Sequence, residues 1–231
     1  MILDHFDMAY YINLDSRPDR REQFERRAME AGIDTFIRFP AIALALEEAN
    51  AFPNLTKHEG DTKRHRKLSC SLSHFAVIQE AKTRGYESVL IFEDDAVFVD
   101  DFANRVKPYI EELQTIPDWS LLYFGGSPEP DFKHTTYPSV AITPHLYTID
   151  SMWGTHAYAI HERFYDTVLN SNPATNYPMD IFYIHCPSDK RKYIMTKELL
   201  VIQDDLSVSD LCGSAVSRTE TYKENYRKVV G

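Results

Sequence analysis

The 231-residue sequence predicts an α/β fold, Rossmann-like, with a mostly parallel central sheet and helices on both of its faces. Three observations carry this. Strand-like and helix-periodic segments alternate through the first half in the order β, α, β, α, β, α, β, the pattern of a sheet whose crossovers are helical. The run YESVLIF, Tyr86 to Phe92, is almost unbroken in its apolar character, as suits a strand covered on both sides. That run drives straight into Glu93-Asp94-Asp95, and open α/β sheets bind their ligands beyond the carboxyl ends of such strands.

Each element has its own signal. Met8 to Leu14 is rich in aromatic and β-branched residues and reads as the first strand. Pro18 then suits the first turn of a helix, where its missing N–H is no loss. Phe24, Ala28 and Ala31 recur at helical steps up to Gly32, a natural terminator. Thr35 to Ile42 reads as a second strand. Ala45 to Lys67 holds Pro53, Gly60 and the basic cluster KRHRK at Lys63 to Lys67, and is expected to be a long loop with one short helix. Ser69 to Gly85 has the Leu72, Ala76, Ile78 spacing of a helix that leads into the apolar strand.

Phe102 to Ile116 reads as helical with a break at Pro108. Trp119 to Gly126 is another apolar strand, ending in two glycines. Ser127 to Ile149 mixes turn formers with short β-prone pieces, and Met152 to Ile160 reads as one strand. A short helix is expected in HERFYDTVLNS and another in PMDIFYIHC. Strands follow in KYIMT and LLVIQ, before a polar tail. No repeat, low-complexity tract or linker divides the chain, so a single domain over 1–231 is expected.

The totals exclude some functions. A formal net charge of −10 lacks the basic field of a nucleic-acid binder. An odd count of three cysteines, Cys70, Cys186 and Cys212, does not suggest a disulfide framework. The first residues lack a basic start and an apolar core, so no signal peptide is expected, and no apolar run is long enough for a transmembrane segment. Cytoplasmic localisation is expected, with peripheral membrane association left open. The sequon at Asn54 is uninformative without secretion.

The acidic triplet admits two readings. One is a solvated turn after a strand. The other is a divalent metal site, since carboxylate oxygens are hard ligands suited to Mn²⁺ or Mg²⁺. Glu93 and Asp95 are two residues apart and point to the same side of an extended chain, while Asp94 points away or caps the next turn. Without a cation, one of two such close carboxylates must rise in pKa.

Three stretches then resemble a known family. YYINLDSRPDRREQF, SCSLSHFAVIQEA and LIFEDDAVF are similar to the LPS-glycosyltransferase and procollagen galactosyltransferase family, glycosyltransferase family 25 (GT25). LLYFGG, GTHAYAI and QDDLSVSDL follow in the same order as in that family. The resemblance implies a GT-A type fold with a nucleotide-binding half over about 1–126 and an acceptor-binding half over about 127–231. It implies a metal-dependent, inverting hexosyltransferase that uses Mn²⁺ (or Mg²⁺) and a UDP-sugar. The hexose, galactose or glucose, would pass to a hydroxyl of a glycan, a lipid-linked sugar or a hydroxylated protein side chain. A phosphohydrolase or nucleotidyltransferase using the same carboxylates is the alternative enzyme, and an inactive sugar- or nucleotide-binding relative is the alternative outside catalysis.

On that resemblance the metal ligands are Glu93 and Asp95, with His156 as a further candidate and Asp204-Asp205 able to complete the set. The donor is expected to meet Asn13, Asp15, Arg17 and Arg20 beyond the first strand, Ser73 and His74 in the middle helix, and Asp94. Arg17 could grip a phosphate or the base; alternatively Asp15 caps the helix and the arginines lie in solvent. His74 could bond the diphosphate or be a buried structural group. An inverting transfer needs a general base at the acceptor hydroxyl. Asp180 is the first candidate, a lone carboxylate among apolar residues, with Asp150 and Asp205 in reserve. Trp153, Tyr158 and Tyr183 could form a sugar platform or be core. KRHRK could be a flap over the pyrophosphate. One departure stands out: the family commonly has Gly-Cys where this chain has Ser69-Cys70, and serine would be strained there if that glycine had positive φ.

Overall fold

A computed structural model describes residues 2–52, 64–128, 139–171, 178–204 and 219–230. In chain order, β1 (Met8–Asn13) leads into α1 (Pro18–Glu30) and β2 (Ile37–Pro40). Two helices follow, α2 (Leu46–Asn50) and α3 (Arg64–Thr83), and then β3 (Ser88–Glu93) and β4 (Ala96–Phe98) on either side of a two-residue turn. The expected helix around Pro108 is split into α4 (Phe102–Arg105) and α5 (Lys107–Leu113), with the proline in the first turn of the second. Next come β5 (Leu121–Tyr123), β6 (Ser127–Pro128), β7 (Val140–Ala141), β8 (Leu146–Ile149), β9 (Met152–Trp153) and β10 (Ala157–His161). The chain closes with α6 (Glu162–Leu169), α7 (Met179–His185), β11 (Tyr193–Thr196), β12 (Val201–Gln203) and α8 (Thr219–Val230).

Eight strands form the central sheet in the order β2-β1-β3-β10-β5-β11-β8-β7. β2, β1 and β3 pair in parallel, as do β5 and β11, and β10 runs antiparallel between β3 and β5. β8 opposes β11, and β7 opposes β8. The sheet is therefore mostly parallel in direction, with β10 and β8 reversed, as the alternating sequence pattern predicts.

Strand alternation sorts side chains onto two buried faces. Ala9, Tyr11, Leu90, Phe92, Leu122, Ala157 and Ala159 pack with Phe24 and Ala28 of α1 and with Phe102, Tyr109, Ile110 and Leu113 of α4 and α5. Their neighbours Tyr10, Ile12, Val89, Ile91, Tyr123, Tyr158 and Ile160 pack with α3, α6 and α7 on the other face. A strand buried on both faces needs apolar residues at every position, which is why YESVLIF shows no alternation of its own.

Three expectations are corrected. Met152 to Ile160 is two strands, because Gly154 takes φ +89° and turns the chain between β9 and β10. The basic cluster is not a loop over Arg64 to Lys67: these residues are the first turn of α3, and Lys63 lies outside the described residues. The polar tail ends in α8, whose Tyr222 and Tyr226, one turn apart, are buried. Among the described residues no helix is long and apolar enough to cross a membrane. Asn54 and Cys212 lie outside the described residues.

The glycine pair after β5 is a close approach. A Cβ on Gly125 would lie 2.2 Å from the Val201 carbonyl oxygen and 2.4 Å from His156 Nε2. Neither the backbone of β12 nor a fully buried histidine can retreat cheaply. Gly125→Ala is therefore expected to lose about 1–3 kcal/mol of stability, the usual cost of overpacking, in equilibrium urea unfolding. A loss below ~0.5 kcal/mol would show that this junction is loose.

Candidate active site

The acidic triplet sits at the carboxyl end of β3, in the middle of the sheet. Glu93 ends the strand, its N–H donating to the His156 carbonyl at 3.0 Å, and Asp94 and Asp95 make the turn into β4. β4 pairs antiparallel with β12, and the Asp204 N–H donates to the Asp95 carbonyl at 2.8 Å. The turn is thus tied on both sides. It forms the floor of a cleft of about 420 Å³, within the range of small-ligand sites. The end of β1 and Arg20 form one wall, Ala41 to Leu44 a second, and α3 a third through Ser69, Cys70, Ser73 and His74.

Asp94 is turned to the β1 side. Its Oδ2 accepts from Asn13 Nδ2 at 2.7 Å and its Oδ1 from Arg20 Nη1 at 2.8 Å, with both side chains almost inaccessible. Asn13 is the hub of this network. It also donates to the Arg17 carbonyl at 3.0 Å and accepts from Arg38 Nε at 2.9 Å. Arg38 pairs in turn with the exposed Asp15. Arg17 pairs with Asp19 through two bonds, of 2.9 and 2.7 Å. Of the four residues beyond the first strand that are expected to meet a donor, Asn13 and Arg20 hold the triplet from behind, and Arg20 also lines the cleft. Asp15 and Arg17 stand further out in ion pairs of their own.

Glu93 and Asp95 face different surroundings. Burial pushes the Glu93 carboxyl up, but His74, a hydrogen bond from Thr155 Oγ1 at 2.8 Å and the nearby His156 outweigh it and hold the group at about 2. For Asp95, burial again raises the pKa. Glu93 and Asp94 raise it further, against the opposing pull of Arg20 and Gln203, and it reaches about 7. Asp95 Oδ2 has Gln203 Nε2 at 3.5 Å and Arg20 Nη2 at 4.0 Å. Its Oδ1 is buried with no hydrogen-bond partner among the described residues. A short run of carboxylates with one oxygen left unsatisfied fits a hard divalent cation, which would supply the charge that the surrounding side chains lack.

α3 shapes the wall opposite. Ser69 Oγ donates to the His65 carbonyl at 2.6 Å and accepts from the Leu44 N–H at 3.0 Å. One turn on, Ser73 Oγ donates to the Ser69 carbonyl at 2.8 Å and accepts from the Ile42 N–H at 2.9 Å. The two hydroxyls clamp the extended segment from Ala41 to Leu44 onto the helix. Ser69 lies inside α3, so the strain expected of a positive-φ position does not arise, and its hydroxyl has a structural use. His74 is fully buried, with Nδ1 3.0 Å from Tyr158 Oη and Nε2 3.5 Å from Glu93 Oε1. Tyr158 and Tyr183 are core residues, bonded hydroxyl to hydroxyl at 3.3 Å, not a platform facing solvent. Trp153 is partly exposed.

The remaining candidates are placed as follows. Asp180 lies in the first turn of α7, where Oδ2 accepts from the Gly154 N–H at 3.2 Å and Oδ1 from the Ile181 N–H at 2.8 Å. Burial raises its pKa despite these bonds, and the charge of Glu93 adds to the rise. Asp150 is paired with Arg191 at 3.0 Å. His156 is fully buried, with Nε2 3.2 Å from the Val201 carbonyl, and stacks on Tyr222. Asp204 pairs with Arg27 at 2.7 Å, and Asp205 lies outside the described residues. Sequence reasoning did not find Arg38, Thr155 or Gln203. Each is a single polar residue on another segment, with no local signal except that Gln203 opens the QDDLSVSDL stretch and Thr155 lies inside GTHAYAI.

Comparison with known proteins bears on this cleft. A family described as Glycosyltransferase family 25 (LPS biosynthesis protein) matches residues 6–183. The chain is 28% identical over 191 residues to a human protein named inactive glycosyltransferase 25 family member 3, covering 77% of this chain and 31% of that protein. It is 27% identical over 211 residues to procollagen galactosyltransferase 1-A of Xenopus laevis, covering 84% of this chain and 34% of that protein. The chain thus spans about a third of the length of these curated relatives. A solved UDP-glucose pyrophosphorylase complexed with UDP-glucose superposes with a TM-score of 0.51 over 96% of this chain and 97% of its own, at 13% identity, a likeness of fold. With the GT-A-like sheet in place and the family match running from the start of β1 into α7, the chain belongs to glycosyltransferase family 25.

Proposed function

We propose that the chain is a metal-dependent, inverting glycosyltransferase that moves a hexose from a UDP-sugar to an acceptor hydroxyl. One observation carries the reading: the orphaned Asp95 oxygen beside Glu93, on the floor of a ligand-sized cleft at the carboxyl end of the central strand. Glu93 and Asp95 would hold Mn²⁺ or Mg²⁺, whose positive charge, when bound, favours the departing diphosphate. The chain's own residues do the rest. Arg20 and Asn13 fix the acidic turn through Asp94. Ser69 and Ser73 hold the Ala41 to Leu44 wall at the width of the cleft. The acceptor is a hydroxyl of a glycan, a lipid-linked sugar or a hydroxylated protein side chain, a reading supported by the relative named procollagen galactosyltransferase 1-A.

Asp180 is the proposed general base. Burial raises its pKa, which makes its carboxylate a stronger base than a solvated one, and it lies near enough to Glu93 for their charges to interact. Asp180→Asn is expected to lower kcat by about 10²–10⁴-fold while UDP binding persists, in a steady-state assay paired with a binding titration. Unchanged kcat would move the role to another acid. A binding-only reading is favoured by the relative named as inactive. Both are tested by incubating the protein with UDP-galactose or UDP-glucose, Mn²⁺ and a panel of glycan and hydroxylysine-peptide acceptors, following UDP, free phosphate and glycosylated product separately. UDP matched by product supports transfer. Phosphate release without glycosylation would point to phosphohydrolase chemistry, and donor binding without turnover would point to an inactive relative.

A further inference from the structure

α3 brings a second, softer set of donors to the cleft. Cys70 and His74 stand one helical turn apart and so share a face. That face meets Glu93, and the cysteine sulfur, a histidine ring nitrogen and a Glu93 carboxylate oxygen lie within 4.8 Å of one another. We propose that Cys70, His74 and Glu93 form a binding site for a zinc-type divalent ion, which shares Glu93 with the all-oxygen edge at Asp95 but draws its other donors, sulfur and nitrogen, from α3.

Four features support this. His74 Nε2 is fully buried, has no hydrogen-bond partner among the described residues and faces Glu93. Its 3.5 Å separation from Glu93 Oε1 is long for a hydrogen bond. Metal bonds of about 2.0–2.1 Å to nitrogen and oxygen, set at a tetrahedral angle, would separate the two ligand atoms by about 3.4 Å. The outer contacts are those that orient ligands: Tyr158 Oη on the far nitrogen of His74, and Thr155 Oγ1 on Glu93. The donor set of sulfur, nitrogen and oxygen selects zinc or cobalt over manganese or magnesium.

The thiol has to lose its proton to bind. Burial and the charges of Glu93, Asp180, Asp95 and Asp94 push its pKa well up in the ion-free protein. The same negative field attracts a cation, and a coordinated cation reverses the preference by stabilising the thiolate. The proton released on binding goes to solvent through the cleft that Cys70 lines. Three protein ligands leave a fourth position for water or a substrate oxygen. The proposal goes beyond sugar transfer and does not depend on it, since its test reads the ligands and not turnover.

The test is a Co²⁺ titration of the metal-free protein, followed by absorption. A near-ultraviolet sulfur-to-cobalt charge-transfer band that saturates at one equivalent is expected. It should be displaced by Zn²⁺ and not by excess Mg²⁺. It should be lost in Cys70→Ser and in His74→Gln, each checked for folding by circular dichroism, and kept in Asp95→Asn. No band in the wild-type protein overturns the proposal, and that result does not depend on any variant folding. A band that survives Cys70→Ser overturns it in favour of another cysteine. A band lost in Asp95→Asn overturns the separation of the two sites. Manganese-dependent UDP binding, measured on the same wild-type sample, reports on the transfer reading separately.

Discussion

Arg20→Met is expected to destabilise the protein by about 3–5 kcal/mol, the usual cost of removing one partner from a buried ion pair. Arg20 and Asp94 are 2.8 Å apart with side-chain exposures of 8% and 9%, so water cannot replace the lost guanidinium. Asp94 would keep Asn13 but lose the guanidinium, and its charge would add to those of Glu93 and Asp95 in one turn. The double variant Arg20→Met/Asp94→Asn should recover part of the loss, because it removes the orphaned charge as well. Equilibrium unfolding of the wild type, both single variants and the double variant gives the coupling directly. A coupling below ~1 kcal/mol would mean that the pair is solvated and that the turn is held by its backbone alone. The variant should also lose turnover beyond what its folded fraction explains, since the carboxylates it positions would no longer share one geometry.

Asp95→Asn is expected to separate function from stability. The amide removes a buried negative charge that Glu93 and Asp94 oppose, so the metal-free protein should gain stability at neutral pH, by about 1–4 kcal/mol. The same change removes a hard anionic ligand and should reduce metal-dependent transfer at least 10²-fold. The pH dependence has a definite sign. The folded pKa of Asp95 is raised from 3.8 to about 7, so the native state binds its proton more tightly than the unfolded chain does. Stability from this group is fully present below about pH 4 and is lost as pH rises through 7. The advantage of Asp95→Asn over the wild type should therefore grow from pH 4 to 7 and level off above. Melting temperatures in a metal-free buffer series test this, and an advantage that shrinks with rising pH would contradict it.

The framework was legible because it rests on local signals. An uninterrupted apolar run and a proline at a helix start each have one physical reading, and β3 and α1 follow from them, whereas the acidic triplet admits two. The site's interior was not legible in the same way. Nothing near Asp94 says that its charge goes to Arg20, 74 residues away, or that Asn13 joins them, because that pairing is made by two parallel strands brought side by side. Ser69 looked like a source of strain because the family it resembles commonly has glycine at that position. It lies more than one turn inside α3, where its hydroxyl fastens Leu44. The polar tail concealed a helix because its apolar face, Tyr222, Tyr226, Val229 and Val230, is short and set among charged and polar residues.

The most direct test of a cation-assisted donor site is equilibrium binding of UDP by calorimetric titration, with and without Mn²⁺, to the wild type and to Asp95→Asn. Binding by the wild type that requires Mn²⁺ and is at least tenfold weaker in Asp95→Asn is the expected result. UDP binding of equal strength with and without the ion, or equal in both proteins, would contradict a metal held by Glu93 and Asp95 at the end of the central strand.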